Sequence, residues 1–296
     1  MLKKCLYLAG LVLFLVEVNS ANNAKLKFEH TFIKNRFKFL NSTNSPYLIE
    51  LRQKFDLDRL TNTCHNDVEK VLKVMDWVHH LWKHNGKNAP IKHDPISILE
   101  EVFTYGRQFR CVEYATVTSG CLNALGITAR SLKLKSADVE TREHSAGHLV
   151  VEVYLPELNK WVMIDPQINL MPVWNDLPLN AVEFQQVLAE KRSNLQFWSM
   201  DELCPDFKPG NSFGVASTFS AGEIGGYISD YLNFIEQYLF YFDTPFIHCR
   251  WGTDLPYEGQ LMLVPIGAKN PTIFQIKYPL EDITYTHNYN EFYQKP

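Results

Sequence analysis

This chain of 296 residues has no long apolar run; nothing in it approaches the ~18 to 20 consecutive apolar residues that a membrane-spanning helix needs. It has no basic surplus either, with 29 Lys and Arg against 33 Asp and Glu. Without that surplus it has no field to follow a phosphate backbone, so nucleic acid is not an expected partner. Internal repeats and low-complexity tracts are absent from the sequence, which excludes solenoid and fibrous architectures. What the chain does have is 46% hydrophobic and 13% aromatic residues, enough to bury a substantial core in one domain or two.

The first residues read as an address. Lys3 and Lys4 precede the apolar stretch Leu6 to Val16, and Val18-Asn19-Ser20 offers small residues where a signal peptidase cuts. The sequence therefore predicts a cleaved signal over 1–20 and a secreted or periplasmic protein that does not insert in a membrane afterwards. Cys5 leaves with the signal. Cys64, Cys111, Cys121, Cys204 and Cys249 remain. That count is odd, so in an oxidising compartment one thiol is free or pairs between chains.

Periodicity then divides the chain. Residues 25–40 alternate apolar and basic side chains and predict a strand or extended arm, followed by a turn-rich linker from Asn41 to Pro46, so 21–60 is read as an N-terminal arm. From Asn66 to His84 the apolar residues fall at helical spacing, and a shorter helix is expected after Asp94-Pro95. Cys111 to Leu125 contains one charge, Glu113, and many small residues, the composition of a helix buried on most sides and stopped by Gly126. Strands are expected over Ile127 to Lys135, His148 to Leu155 and Lys160 to Gln167, with a turn at Pro156 to Asn159. If Leu155 pairs with Lys160, His148 lies opposite Gln167 and diagonal to Asp165 on the same side of the sheet. A capped helix is expected over Asn180 to Lys191. Residues 61–200 thus form the expected core. Residues 201–296 read as an aromatic-rich extension, with a helix over Ile228 to Phe240 and strands near 246–251, 259–265 and 272–278.

Cys111 opens a buried helix, His148 opens a strand, and Asp165 ends the next one. A thiol at a helix N-terminus is favoured as thiolate by the macrodipole and the unpaired amides. An imidazole beside it can hold the thiolate and protonate a leaving amine, while a carboxylate on the other ring nitrogen fixes the tautomer. The run Phe109 to Ala115, ending in Ala124 to Arg130, resembles the nucleophile helix of the transglutaminase-like superfamily. Gly147 to Tyr154 and Lys160 to Pro166 resemble its histidine and aspartate strands, and Cys111-x-Glu113-aromatic-Ala115 is also similar to the peptide N-glycanase branch. The resemblance spans Tyr47 to Leu188.

It implies an α+β fold, a papain-like core with the nucleophile helix against an antiparallel sheet and the C-terminal α+β segment appended. It further implies a Cys111, His148 and Asp165 triad acting on a protein, peptide or glycan-linked amide, with no cofactor and no metal. With Cys111 as the free thiol, the other four cysteines would form Cys64–Cys121 and Cys204–Cys249. Val112 and Leu149-Val150 stand where many members carry Trp, so hydrolysis is expected over transamidation, with a non-catalytic binding module as the third reading. The second oxyanion donor is left among Gln108, Tyr105, Trp77 and Trp82. His80 and His84, four apart on a helix, carry a weaker signal for metal.

Overall fold

The structure, a computed structural model, describes residues 24–32, 45–200, 217–220, 227–245 and 259–296. The expected signal over 1–20, Cys204 and Cys249 with their expected disulfide, and the expected strand near 246–251 lie outside the described residues.

Among the described residues, five helices precede the first strand. α1 (Pro46–Lys54) starts on proline with the Ser45 hydroxyl accepting from the Leu48 amide, and α2 (Leu57–Leu60) follows it. The stretch read as an arm is therefore helical in its second half, because Leu48, Leu51 and Leu57 are buried against the core. α3 (Asp67–Leu81) is capped by Asn66, whose side chain accepts from the Glu69 amide at 2.9 Å. α4 (Pro95–Tyr105) is capped by Asp94 and ends on Gly106 in the left-handed region at φ 62°. α5 (Cys111–Ala124) is the buried helix the composition predicts. Gly120 sits where α4 meets it: a Cβ there would come within 2.4 Å of the Pro95 ring, so only glycine permits this approach.

The strands β1 (Ala129–Lys135), β2 (Gly147–Leu155) and β3 (Lys160–Ile164) form an antiparallel meander. β4 (Met171–Trp174), β5 (Leu177–Pro178), the helix α6 (Ala181–Ala189), β6 (Leu195–Ser199) and β7 (Ser217–Ser220) come next, and these four strands make a second sheet in the order β5-β4-β6-β7. α6 begins with the expected capping box of Asn180 and Glu183. Then follow α7 (Tyr227–Ile235) with a 3₁₀ turn over Glu236–Tyr238, β8 (Tyr241–Pro245), β9 (Gln260–Leu263), the small hairpin β10 (Ile273–Phe274) and β11 (Tyr278–Pro279), β12 (Ile283–Thr286) and α8 (Tyr289–Phe292).

The main sheet runs β12-β9-β8-β1-β2-β3, all antiparallel except the parallel β12–β9 pair. Three of its six strands thus come from the C-terminal part, which was expected as an appendage and instead continues the central sheet. β1 accepts β8 because Leu134 and its partner Phe242 are both wholly buried, and burying that edge is worth more than leaving it in water.

Alternation assigns the two faces. Val151, Val153, Leu155, Val162 and Ile164 pack under α3, α4 and α5, while Leu132, Leu134, Val150, Met163 and Phe242 pack on the other side with Phe184, Phe197 and Tyr231. On that second side Arg130 pairs with Glu152 at 2.6 Å with both side chains buried, lies over the Trp161 and Phe292 rings, and donates to the Phe292 carbonyl. The expected Cys64–Cys121 bridge does not form, and both residues are free thiols. Cys121 is fully buried in the apolar cluster under α5 and Cys64 sits half-buried in the turn before α3; burial pushes both thiols up.

Candidate active site

The start of α5 is locked from several sides. Glu113 is wholly buried; it accepts from the Arg110 amide at 3.1 Å and pairs with the Arg110 guanidinium at 2.7 Å, which anchors the first turn. Phe109 is buried edge-on against Trp82, and the Tyr114 hydroxyl donates to the Trp82 carbonyl at 2.6 Å. Cys111 is therefore presented, half-buried, on a fixed helix terminus.

β2 and β3 pair in the register expected from the turn, with Leu155 opposite Lys160 and Val151 opposite Ile164. Extended beyond Ile164, that register sets Asp165 diagonally from His148 on one side of the sheet. Asp165 is held by a tight turn in which its amide donates to the Leu170 carbonyl and its Oδ1 accepts from the Gln167 amide at 3.1 Å. Its Oδ2 is 2.8 Å from His148 Nε2, with both residues buried. The remaining ring nitrogen, Nδ1, is the one left for Cys111, which lines the same cleft as the ring and favours a charge on it. The three residues singled out in the sequence are thus brought together. Burial works against a charge on the His148 ring, but the Asp165 carboxylate and the Cys111 sulfur favour it more strongly, and the ring is pushed up to about 10.

Phe234 meets the His148 ring edge-on at 5.1 Å and Tyr238 lies 6.3 Å from it. These two aromatics follow each other by one helical turn in the sequence, but only the long return of the chain to β8 puts them beside the histidine. His84 borders the same site; burial and the neighbouring His148 hold its imidazole below the usual range. Cys111 and His148 stand at the head of a cleft of about 730 Å³. Its floor is the face of β1, β8 and β9 that bears Lys133, Lys135, Asp243 and Gln260, and its far wall is the hairpin residues Phe274 and Tyr278. No motif in the sequence marks that floor, since it depends on pairing between distant strands.

Of the four side chains considered as oxyanion donors, Tyr105 is 73% exposed and Trp77 packs against the helical cluster. Gln108 and Trp82 border a neighbouring groove that shares His84 and Gln167 with the cleft, and the buried Trp82 Nε1 has no partner among the described residues. Among the described residues no group of three or more His, Cys, Asp or Glu could hold a metal ion; His80 Nδ1 is taken by the Asp76 carbonyl.

Residues 57–166 match the family model of the transglutaminase-like superfamily, a span that contains Cys111, His148 and Asp165. A candidate cysteine protease from Cytophaga hutchinsonii is similar at 19% identity over 42% of this chain and 39% of that one, with a TM-score of 0.33. A candidate protease from Parabacteroides distasonis is similar at 18% identity over 42% of this chain and 27% of that one, with a TM-score of 0.26. Red sea bream transglutaminase is similar at 13% identity over 68% of this chain and 43% of that one, with a TM-score of 0.32. The chain therefore spans less than half the length of each of these proteins. No curated protein matches it.

Proposed function

We propose, from the premise that residues 57–166 are a transglutaminase-like core, that this chain is an exported thiol hydrolase of amide bonds. The observation that carries the reading is the position of His148, joined to Asp165 at 2.8 Å on one nitrogen and sharing with Cys111 the lining of an open cleft. In this reading the Cys111 sulfur attacks the amide carbonyl, the C–S bond forms and the carbonyl electron pair moves onto oxygen. The protonated His148 gives its proton to the leaving nitrogen as the C–N bond breaks, which leaves a thioester. Water then loses a proton to His148, adds to the thioester, and the C–S bond breaks to return the thiolate. Asp165 keeps the ring oriented through both steps. The Cys111 backbone amide and Trp82 Nε1, the one candidate whose buried N–H has no partner among the described residues, are assigned to the developing oxyanion.

Val112 directly after the nucleophile and Leu149-Val150 after the histidine, where many members of the superfamily carry Trp, favour water over an amine as acceptor in this reading. The test is turnover of fluorogenic peptide amides by the wild-type chain and Cys111→Ala, with intact-mass detection of the acyl-enzyme. Loss of activity by about 10³-fold or more in Cys111→Ala, with a thioester on wild type alone, is expected. Unchanged turnover in Cys111→Ala sinks the mechanism, and a product dominated by an added primary amine replaces hydrolysis with acyl transfer.

A further inference from the structure

The floor of the cleft carries charges that the amide chemistry does not use. β1 places Lys133 and Lys135 on the face that lines the cleft, and β8 sets Asp243 opposite Lys133. Lys135, with a side chain 3% exposed, pairs with Asp243 Oδ2 at 2.5 Å. Lys133 Nζ stays 3.9 Å from that oxygen and donates at 2.7 Å to the neutral Gln260 Oε1. Two ammonium groups thus share one carboxylate, Lys135 buried beside it and Lys133 partly open to the cleft. The other oxygen, Asp243 Oδ1, is buried and accepts no hydrogen bond among the described residues. Buried acceptors are as a rule paired, so this one awaits a donor. Glu281 at the rim is exposed to solvent, and Arg110 at the opposite end is already paired with Glu113. The floor therefore offers, side by side, a cation short of its counter-ion and an acceptor short of its donor.

We propose that this floor binds a free carboxylate with an N–H next to it, the group presented by the carboxyl end of a peptide. The carboxylate takes Lys133 Nζ, and the neighbouring N–H takes Asp243 Oδ1. The proposal rests on the hydrolase reading for what happens at Cys111, and it narrows the substrates to chains that end close to the bond being cut. Burial, against the pull of Asp243, holds the Lys135 ammonium below the ordinary lysine range, and Lys133 pushes the same way, the direction expected where one negative charge is missing.

Binding separates this proposal from the chemistry. Calorimetry on the full chain carrying Cys111→Ala, with N-acetyl-dialanine as the free acid and as its amide, is expected to show the acid bound about tenfold or more tightly, as a charge-assisted hydrogen bond to a partly buried lysine provides. Adding Lys133→Met, a change at a half-exposed side chain, abolishes that preference, and Lys133→Arg keeps part of it. Equal affinity for acid and amide, or a preference that survives Lys133→Met, overturns the subsite. An amide-capped peptide with an internal glutamate that binds as well as the free acid overturns the chain-end assignment. If Cys111→Ala leaves turnover unchanged while the acid preference stands, the mechanism is lost and the subsite remains.

Discussion

The two ends of the cleft are built on opposite plans. At the head, Cys111, His148 and Asp165 come from one helix start and two adjacent strands, and both oxygens of the Asp165 carboxylate are taken, one by the His148 ring and one by the Gln167 amide. At the floor, Lys135 meets an aspartate 108 residues away, and the count of charges does not close. A closed set of bonds holds its members in one geometry whether or not a ligand is present, as chemistry needs. An open set leaves bonds for a ligand to complete, as selection among ligands needs.

The largest effect that could break this contrast is at the head. Asp165→Asn keeps the size of the side chain but removes the charge opposite His148 Nε2, and kcat for an amide is expected to fall by about 10²- to 10⁴-fold. The acid-over-amide preference of the floor should not move in the same variant. If both are lost together, the two ends are not independent.

The next effect is on stability and belongs to the floor. Lys135→Met leaves buried Asp243 with only the more distant Lys133, at 3.9 Å, and urea unfolding should report a loss of about 3 to 5 kcal/mol. Removing both partners in Lys135→Met with Asp243→Leu should recover most of it, since the pair's worth lies largely in not leaving one charge alone. A single variant within about 0.5 kcal/mol of wild type would show that the pair does not hold β8 to β1.

A third effect sharpens the comparison through pH. His148 is raised from 6.5 to about 10 in the folded chain, so the stability it contributes is complete below pH 6.5 and is lost as pH rises through about 10. The urea midpoint of wild type is therefore expected to decline over that window relative to Asp165→Asn, whose histidine lacks the charge that raises it. NMR of the His148 ring should show it protonated at pH 8 in wild type. Parallel pH curves for the two proteins would remove Asp165 as the cause.

Much of the head was legible in the sequence, and the reason is distance along the chain. The short turn at Pro156 to Asn159 fixes the β2–β3 register, and that register alone carries Asp165 to His148. The buried α5 was legible because helix period, small residues and Gly126 agree. The helical part of the supposed arm was not, since Leu48 and Leu51 show their role only when Gly120 lets α4 close on α5. The Cys64–Cys121 pairing failed because parity counts thiols without placing them, and Cys121 is spent on the apolar core. The floor was invisible for a different reason: Lys133 and Lys135 look like the solvated face of a strand until β8 arrives from beyond residue 240.

The central place of β1 also sets an order in time. Its seam with β2 closes as Lys135 meets Gly147 across a short loop, whereas its seam with β8 must gather in more than a hundred residues before Phe242 reaches Leu134. Closing the longer loop costs more entropy, and chains rich in such contacts fold slowly. The head can take shape on half a sheet, but the floor exists only when the last central seam has shut, so the two ends of one cleft differ in age as well as in charge.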